Sequence, residues 1–301
     1  MPTNEQRRQA AKRKLERQLS NRVVRAKRRR LNAVIITVIA VVVVVGSIFF
    51  LTTGHGGTNT AAGSSSSPPT TPTKPAVTSK GPCKYTTTPS APAPTGKNVS
   101  LPPDPTATPK TGSVTVDLKT SAGDIPMTLD RAEAPCTVQS MEYLVNQKFF
   151  DSTPCHRETT YPNPNPLFVL QCGDPTGTGS GGPGYSIPDE FPKNLKVAPT
   201  ATPPPSGQPA PSVYPAGAIA MANSSQPHSG GSQFFLVYKD SQLPPNYTVF
   251  GTITPAGMTV LGKIAAAGIT PGTDPSTGSA TPNDGKPKIA VTITQATATA
   301  A

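Results

Sequence analysis

A run of nineteen uncharged residues, Ala33–Leu51 (AVIITVIAVVVVVGSIFFL), constrains this 301-residue chain more than any other feature. As a helix it reaches roughly 28 Å, close to the hydrocarbon thickness of a bilayer. Its β-branched residues would suit a buried strand, but strands of that length are rare and nothing nearby could cover both faces. The run therefore predicts a transmembrane helix over residues 33–53. Arg28, Arg29 and Arg30 stand just ahead of it, so the N-terminus is expected in the cytoplasm and the C-terminal part outside. A cleaved signal peptide competes with this uncleaved signal-anchor, but its charged segment would be overlong and no A-x-A site follows Leu51. The expected location is the cell membrane, single-pass, with the lipid bilayer as one partner.

The net charge of +11 looks like a nucleic-acid signature until it is located. Residues 1–32 hold twelve Lys/Arg against Glu5 and Glu16, which is ten of the eleven charges. No aromatic residue interleaves these cations, so the segment reads as a basic cytoplasmic tail, the flag for membrane orientation, and no nucleic-acid partner is expected. Residues 54–110 are dominated by Ser, Thr, Pro and Gly, as in GSSSSPPTTPTKP, and predict a solvated, disordered extracytoplasmic stalk. With 38 Pro and 26 Gly, the chain cannot be one globule that uses every residue.

All four cysteines (Cys83, Cys136, Cys155, Cys172) lie beyond the apolar run, on the side where disulfides persist. No C-x-x-C occurs and the three histidines are widely spread, so no metal site is predicted. Two disulfides are expected, with three pairings open to arithmetic.

Periodic apolar residues begin near Ser113. Val114, Val116 and Leu118 alternate, a turn follows at SAGD, and Ile125, Met127 and Leu129 alternate again, which predicts a β-hairpin. Pro135 and mixed three- and four-residue spacing predict a helix over 135–147. Strands are expected near 154–158, 167–171, 217–221, 233–238, 247–253 and 287–294, with a second helix over 257–267. Two helices and eight strands suggest a barrel or sandwich over residues 111–301.

Polar catalysis finds little to work with. There is no G-x-S-x-G elbow, and Asp189 and Glu190 are adjacent, a spacing that does not suit two carboxylates flanking one bond. GTGSGGPG at 177–184 lacks the Lys-Ser/Thr of a phosphate loop and reads as a flexible surface loop.

What stands out instead is CHR at 155–157, LFVLQCGD at 167–174, AMAN at 220–223, GSQFFLVY at 231–238 and YTVFG at 247–251. These blocks, in this order, resemble the cyclophilin family of peptidyl-prolyl cis-trans isomerases, from about residue 113 to 296. The layout of basic tail and single anchor resembles the membrane-anchored cyclophilins of bacteria. The resemblance implies a mainly β fold, a closed eight-stranded antiparallel β-barrel capped by two α-helices. It implies Arg157 as the catalytic arginine, with Gln171 beside it. Phe168 and Val169 match apolar pocket residues, and Ala222 and Asn223 match positions that bind substrate backbone. Gln233 matches a polar contact, Phe235 the floor of the proline pocket, and Leu243 and Tyr247 its walls.

This activity, rotamase chemistry during protein folding, makes and breaks no bond. It needs no cofactor, only proline-containing polypeptide clients. The resemblance also implies that Cys155 pairs with Cys172 across neighbouring strands, leaving Cys83 for Cys136. Gln242 stands where many members have tryptophan, which puts binding of the drug cyclosporin in doubt, and Tyr247 replaces a usual histidine. For the proline-rich insertions at 159–166 and 196–217 three readings stand open, reshaping the substrate groove, occupying it in cis, or forming long solvated loops, with the last as the default. A non-catalytic proline-peptide-binding or scaffolding module of the cell envelope is the rival reading.

Overall fold

The computed structural model describes residues 76–88, 97, 99–199, 209–274 and 276–300. The basic tail, the transmembrane span read at 33–53 and the stalk residues 54–75 lie outside them. No helix among the described residues is long and apolar enough to cross a membrane.

The hairpin expected from alternation is β1 (Ser113–Thr120) and β2 (Gly123–Asp130), with Val116 facing Met127 and Leu118 facing Ile125. Its inward residues are buried and its outward ones mostly exposed, as a strand period of two requires. Gly123 closes the turn at φ +125°, and a Cβ there would meet the Val260 side chain at 3.1 Å. Further along come β3 (Thr153–Pro154), β4 (Arg157–Tyr161), β5 (Leu167–Cys172), β6 (Ala218–Met221), β7 (Phe234–Lys239) and β8 (Val249–Ile253). The last are β9 (Ile269–Thr273), β10 (Ala280–Pro287) and β11 (Thr292–Ala300).

These form one eleven-stranded sheet in the order β9-β10-β4-β5-β7-β6-β8-β2-β1-β11-β3, with every neighbour antiparallel. The expected closed barrel of eight strands is corrected to a curled half-barrel, open in hydrogen-bond order. Two things enlarge the count. The strand read at 154–158 is split between β3 and β4, and the unexpected hairpin β9–β10 precedes β11, which answers to the strand read at 287–294 after a bend at Lys288–Ile289. At the first split the backbone switches partners, since Cys155 N donates to Val291 O at 2.8 Å and His156 N to Gln171 O at 3.0 Å.

Two helices cover the sheet. In α1 (Pro135–Asn146), Val138, Met141 and Leu144 enter the core beside Val116, Phe150, Phe234 and Ile293. Its N-terminal residues Cys136 and Thr137 donate backbone N–H to Glu190, at 3.0 and 2.8 Å. The lone acidic pair of the sequence therefore serves the fold, with Glu190 at the positive end of a helix dipole. Asp189 meanwhile accepts from His228 N at 2.7 Å. In α2 (Pro255–Ala267), Leu261 and Ile264 are buried, and the Thr254 hydroxyl caps Gly257 N.

Part of the segment read from composition as stalk is packed on the domain. Cys83 and Tyr85 are fully buried, the Tyr85 hydroxyl donates to Cys136 O at 2.8 Å, and Thr86–Thr87 pairs with Tyr185–Ser186. The insertion at 196–217 also departs from a solvated loop. Ser212–Tyr214 pairs with Lys196–Val197 on one side and Ser241–Leu243 on the other. Tyr214 is fully buried, with its ring 6.4 Å from those of both Phe235 and Tyr247.

Two predictions follow from this packing. Tyr214→Ala should cost about 3–5 kcal/mol, as truncation of a buried aromatic does, read by urea unfolding. The second concerns Glu158 on β4, which is fully buried with no hydrogen-bond partner on either carboxylate oxygen. Burial pushes its pKa from the ordinary 4.5 up to about 7. Within that window the folded chain binds more protons than the unfolded one, so stability falls as pH rises, by on the order of 3 kcal/mol in total. Glu158→Gln should flatten this dependence in melting curves taken between pH 5 and 8, and an unchanged slope would refute it.

Candidate active site

Arg157 on β4 stands opposite Gln171 on β5, and its Nη1 donates to Gln171 Oε1 at 3.1 Å. Gln171 Nε2 donates to Gln233 Oε1 at 2.8 Å, and Gln233 Nε2 donates to the carbonyls of Gly179 and Gly181, both at 2.9 Å. The glycine-rich segment 177–184, expected as a flexible surface loop, is thus tied to the site. Asp174 holds it from below, accepting from Thr176 N, Thr178 N and Gly179 N at 2.7, 3.1 and 2.6 Å. A Cβ on Gly181 would fall 1.9 Å from Asp174 Oδ1, so the close approach requires glycine.

The opposite edge of the guanidinium meets Asp284 on β10. Nε donates to Oδ1 at 2.8 Å and Nη2 to Oδ2 at 2.7 Å. This pairing raises the pKa of Arg157 further, so the group is a permanent cation. Burial pushes neighbouring His156 down, and the Arg157 charge adds to that effect.

Beside Arg157 opens a cavity of about 210 Å³. Its apolar wall is Leu167, Val169, Ala222, Phe235, Leu243 and Tyr247, and its polar rim is Arg157, Gln171 and Asn223. Phe235 and Tyr247 meet edge to face with centroids 5.6 Å apart, backed by Tyr214. The Tyr214 hydroxyl lies 3.1 Å from Pro244 O and 3.2 Å from Tyr247 O, which holds the turn carrying Tyr247. The cavity is a small apolar cup with one fixed cation at its mouth.

Most residues expected at the site come together here, with two adjustments. Phe168 is not part of the cup. Strand alternation sends Leu167, Val169 and Gln171 to it and turns Phe168 away, onto Tyr238 at 5.8 Å and under Lys239 Nζ at 4.8 Å. Leu167 takes its place, one residue earlier in the same block. Gln233 acts as a strut, with its amide engaged by Gln171 and two loop carbonyls. The Asn223 amide is likewise engaged, donating to Asn246 O at 2.8 Å and accepting from Ser225 N at 3.0 Å.

Gln242 lies outside the cup, with its side-chain carbonyl buried and unpartnered. Tyr214 and Asp284 were missed by sequence reasoning. A lone aromatic in a proline-rich insertion was a faint signal for the first, and nothing marked the second. Both expected disulfides, Cys83–Cys136 and Cys155–Cys172, are formed, the latter flanking the Arg157–Gln171 pair.

Comparison with known proteins bears on the family of the chain. The profile of the family described as cyclophilin type peptidyl-prolyl cis-trans isomerase/CLD matches residues 115–298. A Mycobacterium tuberculosis (strain H37Rv) protein named probable peptidyl-prolyl cis-trans isomerase B is 48% identical over 308 residues, covering 98% of this chain and 93% of that one. Its namesake in Mycobacterium leprae is 42% identical over 214 residues, 66% of this chain and 65% of that one. A crystal structure of a Cryptosporidium parvum cyclophilin type isomerase covers 62% of this chain and 98% of that one, with 23% identity and a TM-score of 0.44. With the family profile matched over more than half its length and a near full-length relative at 48% identity, this chain belongs to the cyclophilin-type peptidyl-prolyl cis-trans isomerases.

Proposed function

We propose that this chain accelerates rotation about Xaa-Pro bonds in polypeptides folding outside the cytoplasmic membrane, to which residues 33–53 anchor it. The observation that carries the reading is the Arg157 cation fixed at the mouth of an apolar, proline-sized cup. An Xaa-Pro amide is kept planar by resonance, with a barrier of about 18–20 kcal/mol and a turnover time of tens of seconds unaided. Val169, Leu167, Phe235, Leu243 and Tyr247 grip the ring, while Ala222 and Asn223 present backbone to the flanking peptide.

As the amide twists, its nitrogen regains a lone pair. A guanidinium N–H aimed at that nitrogen stabilises the twisted state more than the planar one, which is catalysis by differential binding. Gln171 holds the guanidinium in place, and no proton need leave the enzyme. The extracytoplasmic placement is supported by the basic block before an uncharged run and by two disulfides in the folded domain.

Arg157→Ala in the full chain should lower kcat/KM on a short Xaa-Pro peptide by about 100-fold while the melting temperature stays within a few degrees. Equal turnover in parent and variant would remove Arg157 from the chemistry. No turnover in a folded parent would leave the non-catalytic peptide-binding module. For the topology, protease added to intact spheroplasts should degrade the domain, and protection until the membrane is opened would overturn the orientation.

A further inference from the structure

The hairpin β9–β10 contributes little to the core. Its residues are half-buried or exposed, apart from Pro287 at its end, yet it is held closely against β4. On β4, Glu158 pairs with Gly285 and Thr159 with Asp284. Within the hairpin, a Cβ at Gly285 would lie 2.0 Å from Thr270 O of β9, so its own two strands meet without slack. Besides Asn283, whose Oδ1 accepts from the Thr160 hydroxyl at 3.5 Å, the hairpin brings the Asp284 carboxylate, which engages Arg157 through two hydrogen bonds.

A guanidinium carries five N–H donors in a rigid plane. Asp284 occupies Nε–H and one on Nη2, and Gln171 occupies one on Nη1, which leaves two. A carboxylate on the Nε–Nη2 edge fixes the plane of the group as well as its position, because a parallel two-bond fork tolerates little rotation. Gln171 alone, with one bond, would leave the plane free to swing. The ordinary reading of such a half-exposed pair is a surface salt bridge of small effect. Two features weigh against it: the paired short bonds, and the identity of the cation, which lines the cup.

We propose that Asp284 is a positioning residue for isomerisation: it locks the Arg157 guanidinium so that its remaining Nη donors face the twisting amide. This rests on the isomerase reading above. The carboxylate also offsets part of the arginine charge, so its gain must come from orientation rather than field strength.

The test uses the full chain and a short Xaa-Pro peptide. Asp284→Ala and the isosteric Asp284→Asn should each lower kcat about tenfold while KM stays within about twofold. Asp284→Glu should recover part of that loss. In an Arg157→Lys background, which cannot form the fork, Asp284→Asn should have no further effect on kcat. The Arg157 Nε–H resonance should lose its protection from solvent exchange in Asp284→Asn and keep it in Asp284→Glu, a readout independent of turnover. Unchanged or raised kcat in a folded Asp284→Asn chain would overturn the proposal. So would an equal tenfold loss in the Arg157→Lys background, which would mark a merely structural role. Arg157→Ala with parental turnover would bring down the isomerase site itself, and is read in a chain where Asp284 is intact.

Discussion

Strand β4 lies against β5 with Arg157 opposite Gln171, and the chemistry of the molecule depends on that register. Because side chains alternate across a sheet, Arg157 and Gln171 share a face with Leu167 and Val169, while Glu158 is turned to the other side and buried without a partner. A slip of one residue would exchange the cation at the cup for a carboxylate. Several features oppose such a slip. Cys155 is bonded to Cys172, and the Tyr238 hydroxyl donates to Thr159 O at 2.6 Å. The buried Glu158 is a cost of keeping Arg157 where it is, borne by a core that the long hairpin β1–β2 and α1 supply.

From Asp284 through Arg157, Gln171 and Gln233 to the carbonyls of Gly179 and Gly181, each polar group is answered by the next. Such a network acts as a rigid frame because rotating one member leaves another unsatisfied. The apolar half of the site has its own support in Tyr214, supplied by an insertion and wedged behind Phe235 and Tyr247. A cup that binds a twisted amide better than a planar one must resist relaxing onto the planar form, and both supports serve that end.

Much of the fold was legible in the sequence. The hairpin over 113–130 followed from strict alternation, α1 from proline at the first turn and helical spacing, and α2 was read over 257–267, two residues short of its start at Pro255. The site blocks carried Arg157, Val169, Gln171, Ala222, Asn223, Phe235, Leu243 and Tyr247 to one place. The hairpin β9–β10 was invisible because ITPGT and ATPNDGKP form strands by backbone pairing with little burial, and neither carries the apolar alternation or apolar run that marks a strand. Phe168 was misplaced by a single residue of phase. Cys83 and Tyr85 looked like stalk because the surrounding composition is that of a solvated linker.

The sequence by itself determined which residue types meet, in what order along the chain, and where the apolar run and its basic flank stand. Those are local properties: periodicity, capping, charge and motif. Only the tertiary structure decided that Asp284 reaches Arg157 across 127 residues, that Tyr214 backs the cup, and that Leu167 rather than Phe168 lines it. Such contacts join segments distant in the chain, and their existence depends on strand register and the curl of a sheet. No local pattern of side chains encodes either, because both follow from the packing of the whole core at once.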